Sequence, residues 1–239
     1  MPKLALTVAA SLALMLVGCG PSQAADDPAF GAKVRAYLMA HPEILEEAIG
    51  KLQEQKQAQA MKAAVSLLNT HRAAIERDPR DFVVNPNGKV TVVEFFDYRC
   101  GYCKLAAPEI AKLVAQNPDV RFVFKEFVIF GPQSEAAARA AIGAGRQGKY
   151  FDIYQKFMAE KALEPAGLPR LLKAGGVDVA KAQAAGADAA VTKHLKDVHD
   201  LAITLGIEGT PAFVVGDTIV AGADMPALNA AIAAARKAA

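Results

Sequence analysis

The spacing of apolar positions changes along this chain, and each change marks a boundary. Leu4 to Val17 is a run of 14 residues without a charge. From residue 25 to about 78 the apolar positions recur at helical spacing. Asp26-Asp27-Pro28 fits a helix start, with acids and proline in the first turn. Phe30, Val34, Tyr37 and Leu38 follow on one stripe. His41-Pro42-Glu43 restarts the pattern, and Ile44, Leu45, Ala48, Ile49 and Leu52 form its apolar face. Residues 53–59 read QEQKQAQ and interrupt that face, as a solvated mid-helix or as a hinge. The stripe returns at Met61, Val65, Leu68 and Ile75, and Asp78-Pro79 ends it.

Beyond residue 81 the signal becomes that of strands. Asp81 to Val84 is short and β-prone, and Asn85-Pro86-Asn87-Gly88 predicts a hairpin turn into Val90–Phe96. Residues 100–116 carry Leu105, Ile110, Leu113 and Val114 at helical spacing, and Asn117-Pro118-Asp119 stops them. Val120 to Val128 is another apolar strand. An Ala-rich region then runs from Ser134 to Leu205, broken into several helices by Gly and Pro. Its last helix carries Val191, Leu195, Val198, Ala202 and Leu205, and Gly206 closes it. Ala212–Val215, a Gly216-Asp217 turn and Thr218–Ala221 predict a hairpin, and Met225 to Lys237 a final helix.

This divides the chain into residues 1–24, a helical segment over 25–79, and a sheet-bearing domain over 80–239 with a helical insertion at about 134–205. The helical segment has a narrow apolar stripe and no strands, so it cannot form a core alone. It either packs on the following domain or serves as an oligomerisation segment.

Composition narrows the picture. Hydrophobic residues make up 53% of the chain, but 50 of its 239 residues are alanine, so the apolar content is mostly small and helix-favouring. The formal charge of +2, from 27 basic and 25 acidic residues, gives no reason to expect a nucleic-acid partner. Three cysteines in 239 residues exclude a disulfide-stapled scaffold. Cys19 sits apart from the other two. Lys3 and the uncharged run after it predict an export signal, because 14 residues are too few for the roughly 20 of a membrane span. Two cleavage patterns compete. Leu16-Val17-Gly18-Cys19 resembles the lipobox of bacterial lipoproteins, which makes Cys19 a lipidation candidate. Ser22-Gln23-Ala24 before Ala25 resembles an ordinary cleavage site, which discards Cys19. Both patterns place the mature chain in the bacterial envelope, where thiol chemistry is sustained.

Cys100-Gly101-Tyr102-Cys103 stands where a strand ends and a helix begins. Free N–H groups and the dipole at a helix N-terminus stabilise a thiolate. Cys103 lies one turn on and on the same face, placed to attack a mixed disulfide formed on Cys100. Zinc binding is a competing role, but it needs two more ligands. The candidates are His41, His71, His194 and His199. The last two flank their helix's apolar stripe about 140° apart, so no metal and no cofactor beyond the Cys100–Cys103 disulfide is expected. A purely structural disulfide closing so short a loop removes little chain entropy. Gly209-Thr210-Pro211 precedes a strand. With a cis proline there, the backbone of Thr210 would turn towards the dithiol and pair with an extended peptide. A strand running into a C-x-x-C helix, with a later proline-led hairpin, predicts an α/β thioredoxin fold with a helical insertion and a preceding helical segment.

Residues 94–103 (EFFDYRCGYC), the helical insertion, and 206–213 (GIEGTPAF) resemble the DsbA-like family of bacterial envelope thiol–disulfide oxidoreductases. The resemblance implies Cys100 as nucleophile, Cys103 as resolving cysteine, and Pro211 as a cis proline with Thr210 before it. It also implies Glu94 as the acidic residue beneath the site. A buried carboxylate there would have a raised pKa and accept the proton of Cys103. Lys125, on the neighbouring strand, is expected to pair with Glu94. The strong oxidants of the family carry Pro-His between the cysteines. Gly101-Tyr102 here implies a milder acid at Cys100 and, with Thr210, a likeness to disulfide isomerases. The segment HPEILEEAIGKLQEQ is similar to the N-terminal region of ScsC proteins, in which such helices build an oligomer. The partners implied are exported protein substrates, a membrane redox protein that recycles the dithiol, and further copies of the chain through 25–79. Net flow is expected to favour isomerisation or reduction, with a DsbA-type oxidase and a metal-binding envelope lipoprotein as alternatives.

Overall fold

The computed structural model describes residues 27–238. The expectations for the export segment and Cys19 lie outside the described residues. The chain forms two compact units, Met1–Gln57 and Ala58–Ala239.

In the first unit, α1 (Pro28–Ala40) opens on Asp27, whose carboxylate accepts from the N–H groups of Ala29 and Phe30. No residue of α1 is buried. The next helix, α2 (Glu43–Glu76), runs through residues 53–59 without a break. Gln, Glu, Lys and Ala are strong helix formers and none of them interrupts the backbone, so the polar stretch is helix rather than hinge.

The second unit begins inside α2, earlier than the predicted boundary at 79. Leu68 and Ile75 of α2 are buried against the sheet. The carbonyls of a helix's last turn have no partner within the helix. Here Arg121 Nη1 donates to Glu76 O at 2.7 Å and Lys125 Nζ to Ala74 O at 2.6 Å.

The sheet has five strands: β1 (Phe82–Val84), β2 (Val90–Phe96), β3 (Val120–Glu126), β4 (Ala212–Val215) and β5 (Thr218–Ala221), in spatial order β1-β3-β2-β4-β5. The β2–β3 pair is parallel and is joined by α3 (Gly101–Gln116); the other pairs are antiparallel. The predicted turn at 85–88 forms, with Gly88 N–H donating to Asn85 O at 2.9 Å, but it does not close a hairpin. β1 pairs with β3, because both edges of β2 are taken by β3 and β4. Local turn residues reverse the chain; they do not choose the partner strand. The β4–β5 hairpin forms as predicted.

Between β3 and β4 lie α4 (Pro132–Gly145), α5 (Tyr150–Ala159), α6 (Leu168–Ala174), α7 (Val179–Gly186) and α8 (Ala189–Thr204). Helices α4 and α7 touch through glycines. A Cβ on Gly143 would lie 2.0 Å from Ala182 O, and one on Gly186 would lie 2.5 Å from Arg139 O. Gly206, at φ 71°, follows α8 in the left-handed conformation expected of its C-terminal stop. The chain ends with α9 (Met225–Ala238). Among the described residues no helix is long and apolar enough to cross a membrane.

Strand periodicity assigns the faces of the sheet. Val92, Phe96, Phe122, Phe124 and Phe213 pack with α3 and α5. Val93, Phe95, Val123 and Val214 pack with α2 and α8. Glu94 is in register with Phe124, while Lys125 is in register with Phe95. Glu94 and Lys125 therefore point to opposite faces, and the expected pair between them is not formed. Lys125 instead meets Asp81, with both side chains fully buried.

Candidate active site

The end of β2 leads through a short loop to α3, and one aspartate holds that loop in place. Asp97 is buried, and its carboxylate accepts from Arg99 N–H (2.7 Å), Ile129 N–H (2.9 Å), Phe130 N–H (3.2 Å) and Ser134 Oγ (2.7 Å). It thus ties the loop after β2 to the loop after β3. Cys100 N–H donates to Asp97 O at 3.1 Å, which sets the cysteine at the N-cap of α3.

Cys100 uses its side chain as a capping residue uses an oxygen. Its backbone is extended (φ −69°, ψ 119°), and Sγ accepts from Cys103 N–H at 3.4 Å. The Thr210–Pro211 bond is cis, and Cys100 Sγ, when protonated, donates to Thr210 O at 3.1 Å. Both cysteines are free thiols. The Thr210 hydroxyl is buried without a hydrogen-bond partner.

These contacts separate the two thiols chemically. The Cys100 pKa is lowered to about 5, first by a hydrogen bond from the Cys103 thiol and then by Thr210 and the N–H groups of Cys103 and Tyr102, against the opposing effect of burial. Burial pushes the Cys103 thiol well above its usual range, helped by its donation to Cys100 and by the charge of Glu94. At neutral pH the site therefore holds one thiolate and one thiol. Cys100 is ready to attack or to leave, while Cys103 must lose a proton before it can react.

Glu94 lies beneath the pair and is 1% exposed. Burial raises its pKa to about 8, although Tyr154 OH donates to its carboxylate at 3.0 and 3.3 Å. Phe96, Tyr98 and Phe124 pack edge-on or tilted against Tyr154, the partner of Glu94, and Phe157 packs edge-on against Tyr98. Glu94 lies close enough to Cys103 for its charge to add to the rise of that thiol's pKa.

Around Cys100 the surface is apolar. Tyr102, inside the C-x-x-C, is 67% exposed, Leu105 72% and Phe130 48%. Tyr102 and Leu105 stand three residues apart on one helix face. Gly101 has open space where a side chain would stand.

Sequence reasoning missed Asp97 and Tyr154. Asp97 had a local signal, since an acid three residues before a helix-opening cysteine is placed to bond the loop N–H groups. Tyr154 had none, because α5 lies 60 residues from Glu94 and reaches it only through the fold. The histidines stay apart from the dithiol. Among the described residues one group has metal-ligand spacing: Asp78, Asp81 and His194. Its acids already hold cations: Asp78 binds Arg80 at 2.5 Å, and Asp81 binds Lys125. A metal ion there would have to displace a buried ammonium, so the donor set does not fit one.

A mixed five-stranded sheet with a parallel inner pair, a C-x-x-C at a helix N-terminus and a cis proline facing it define a thioredoxin-fold dithiol protein. The profile of the DSBA-like thioredoxin domain matches residues 91–233, and that of the copper resistance protein ScsC N-terminal domain matches residues 28–59. The chain belongs to the DsbA-like thioredoxin-fold family of thiol–disulfide oxidoreductases. Among solved structures, it is similar to a thioredoxin-like oxidoreductase from Silicibacter pomeroyi, at 41% identity and TM-score 0.67. That alignment covers 70% of this chain and 99% of the other. It is also similar to a linker-deletion mutant of ScsC from Proteus mirabilis, at 28% identity and TM-score 0.69, over 91% of this chain and 100% of the other. Among curated sequences, it is 31% identical over 164 residues to Na(+)/H(+) antiporter NhaA 3 of Salinispora tropica, covering 66% of this chain. It spans about a quarter of the length of the first curated relatives it matches.

Proposed function

We propose that the protein exchanges disulfides with exported proteins through Cys100 and Cys103, with net flow towards isomerisation or reduction. The observation that carries this is the position of Cys100 Sγ. It caps α3, 3.4 Å from Cys103 N and 3.1 Å from the backbone of Thr210 beside cis Pro211. In the forward step the Cys100 thiolate attacks a substrate disulfide, and one substrate sulfur leaves as thiolate. Glu94 in its ionised form then takes the proton of Cys103, and the Cys103 thiolate attacks Cys100 Sγ, releasing the second substrate thiolate and leaving a Cys100–Cys103 disulfide. The apolar rim of Tyr102, Leu105 and Phe130 suits unfolded segments with exposed apolar side chains, and the Thr210 backbone offers them an extended pairing edge.

The motif interior supports this direction. Gly101-Tyr102 places no cationic side chain between the two cysteines. The N-terminal helices support an oligomer. Phe30 (62%), Tyr37 (57%), Ile49 (54%) and Leu52 (50%) are exposed apolar side chains that a second copy would cover. Several dithiols around one client favour repeated attack over a single transfer. The export-signal pattern of residues 3–25 supports a periplasmic location, with Cys19 as a lipid anchor if the lipobox is the one used. A membrane redox partner would then keep the dithiol reduced.

The deciding measurement is the redox state of Cys100 and Cys103 in growing cells, together with refolding of a scrambled-disulfide substrate. Mostly reduced thiols and rescue of the scrambled substrate are expected. Mostly oxidised thiols, with a reduction potential near −120 mV, would make the protein an oxidase instead. A protein that is monomeric by light scattering would remove the oligomer.

A further inference from the structure

Glu94 is not the only buried carboxylate on its face of the sheet. Glu126 closes β3 in register with Phe96, two residues along β2 from Glu94. It is 2% exposed. Parity puts both carboxylates on the face that packs against α3 and α5, and among the described residues no cation is bonded to either. Glu126 Oε1 accepts from Tyr150 OH at 2.6 Å and from Tyr98 OH at 3.1 Å. Tyr98 precedes Cys100 by two residues, and its ring lies 6.2 Å from that of Tyr154, the partner of Glu94. The two carboxylates thus belong to one aromatic and hydroxyl cluster that reaches the dithiol loop.

Glu94 has no surface of its own, so a proton that it takes from Cys103 leaves only through its neighbours. Glu126 lies closer to water. It lines a cavity of about 320 Å³ with Arg80, Asp81, Arg146, Tyr150 and His194. A buried carboxylate held only by hydroxyls, beside a second one, does not ionise independently of it.

We infer that Glu126 is a positioning residue of the dithiol chemistry: bonded to Tyr98 and Tyr150, it forms with Glu94 a coupled pair of carboxylates that shares the proton released by Cys103. It acts through Glu94 and touches no reacting sulfur. The groups that face Glu126 are Tyr98 and Asp97 from the loop after β2, Glu94 from β2, Tyr150 from α5, and Arg80, Asp81, Arg146 and His194 across the cavity. Burial raises the Glu126 pKa to about 8, with Asp97 and Glu94 adding to the rise and the two tyrosines opposing it. Ionisation of either glutamate therefore works against ionisation of the other. The inference rests on Cys100 and Cys103 being the exchanging pair.

The test is the resolving step, followed against pH by rapid mixing. The full chain carries a nitrophenyl thiol reporter in mixed disulfide with Cys100. Cys103 gives its proton to Glu94 and attacks Cys100 Sγ; the bond from Cys100 to the reporter breaks, and the coloured thiolate leaves. Glu126→Gln keeps an acceptor for both tyrosines but carries no charge. It is expected to move the inflection of the rate profile down by about half a pH unit. Tyr150→Phe withdraws one donor from the ionised Glu126 and keeps it neutral over more of the range. It is expected to move the inflection the same way by less, and it decides the matter if Glu126→Gln does not fold. An inflection that Glu94→Gln removes but that neither Glu126→Gln nor Tyr150→Phe moves overturns the role of Glu126 alone. A wild-type chain that never releases the reporter overturns the exchanging pair, and this inference with it.

Discussion

The two faces of the sheet bury carboxylates in opposite ways. Behind the sheet, towards α2, Asp81 lies against the Lys125 ammonium, and Lys125 also donates to Ala74 O. Burial raises the Asp81 pKa to about 7, and Lys125 works against that rise. In front, Glu94 meets only the hydroxyl of Tyr154, and its pKa climbs to about 8. A counter-charge offsets part of the burial penalty and pins the pair in place; hydroxyls alone offset less, so the acid is largely protonated at neutral pH and can move protons. The same physics therefore makes one acid a fastener for α2 and the other a proton store for the dithiol.

The largest expected effect breaks the fastened side. Lys125→Met removes the cation from Asp81 and the donor from Ala74 O. It should cost about 3–5 kcal/mol in urea unfolding. Adding Asp81→Asn should recover part of that loss, because no unpaired charge remains. Full recovery by neither and no loss from Lys125→Met would show that the pair holds nothing.

On the other side the effect should fall on rate rather than on stability. Glu94→Gln should slow the Cys103-dependent resolving step by about a hundredfold and leave the Cys100 thiolate nearly as acidic. Its stability should change with pH in a defined direction. The raised pKa means that the folded state holds a proton which the unfolded chain releases above its ordinary value near 4.5. Stability from Glu94 is therefore complete below that value and is lost as pH rises towards about 8. Relative to wild type, Glu94→Gln should gain stability steadily across that window and level off above it. An unchanged difference across the window would mean that Glu94 is ionised in the fold.

Cys100 should show the opposite sign. Its depressed pKa means that the folded thiolate stabilises the reduced protein above the ordinary thiol range, and this is lost as pH falls through about 5. Thiolate absorbance should titrate with a midpoint near 5, and Thr210→Val should raise the midpoint by less than about one unit. The smallest effect belongs to the surface. Arg72 binds Asp217, but both side chains are partly exposed, so Arg72→Ala should cost at most about 1 kcal/mol.

The lesson for sequence reading follows from these particular residues. C-x-x-C at a strand-to-helix junction is a local pattern, so the thiolate position was legible. Glu94 was legible as a candidate through its offset from Cys100. Its supposed partner Lys125 was not, because neighbouring strands pair by register, and a shift of one residue reverses the face. The 85–88 turn misled in the same way. Its residues specify a reversal, while the free edge of β3 decided where β1 went. Likewise Leu68 and Ile75 read as the end of an N-terminal segment, yet they are core for the domain that follows.

What the sequence by itself determined is therefore the set of elements, the dithiol at a helix N-terminus, and the proline that faces it. Each depends on contacts only a few residues apart. Only the tertiary structure decided which acid meets a cation and which meets a tyrosine. Tyr154 lies 60 residues from Glu94, and Asp81 lies 44 residues from Lys125 and 113 from His194, across separate elements. Charge partners at such separations are chosen by strand register and helix docking, and no local pattern carries that choice.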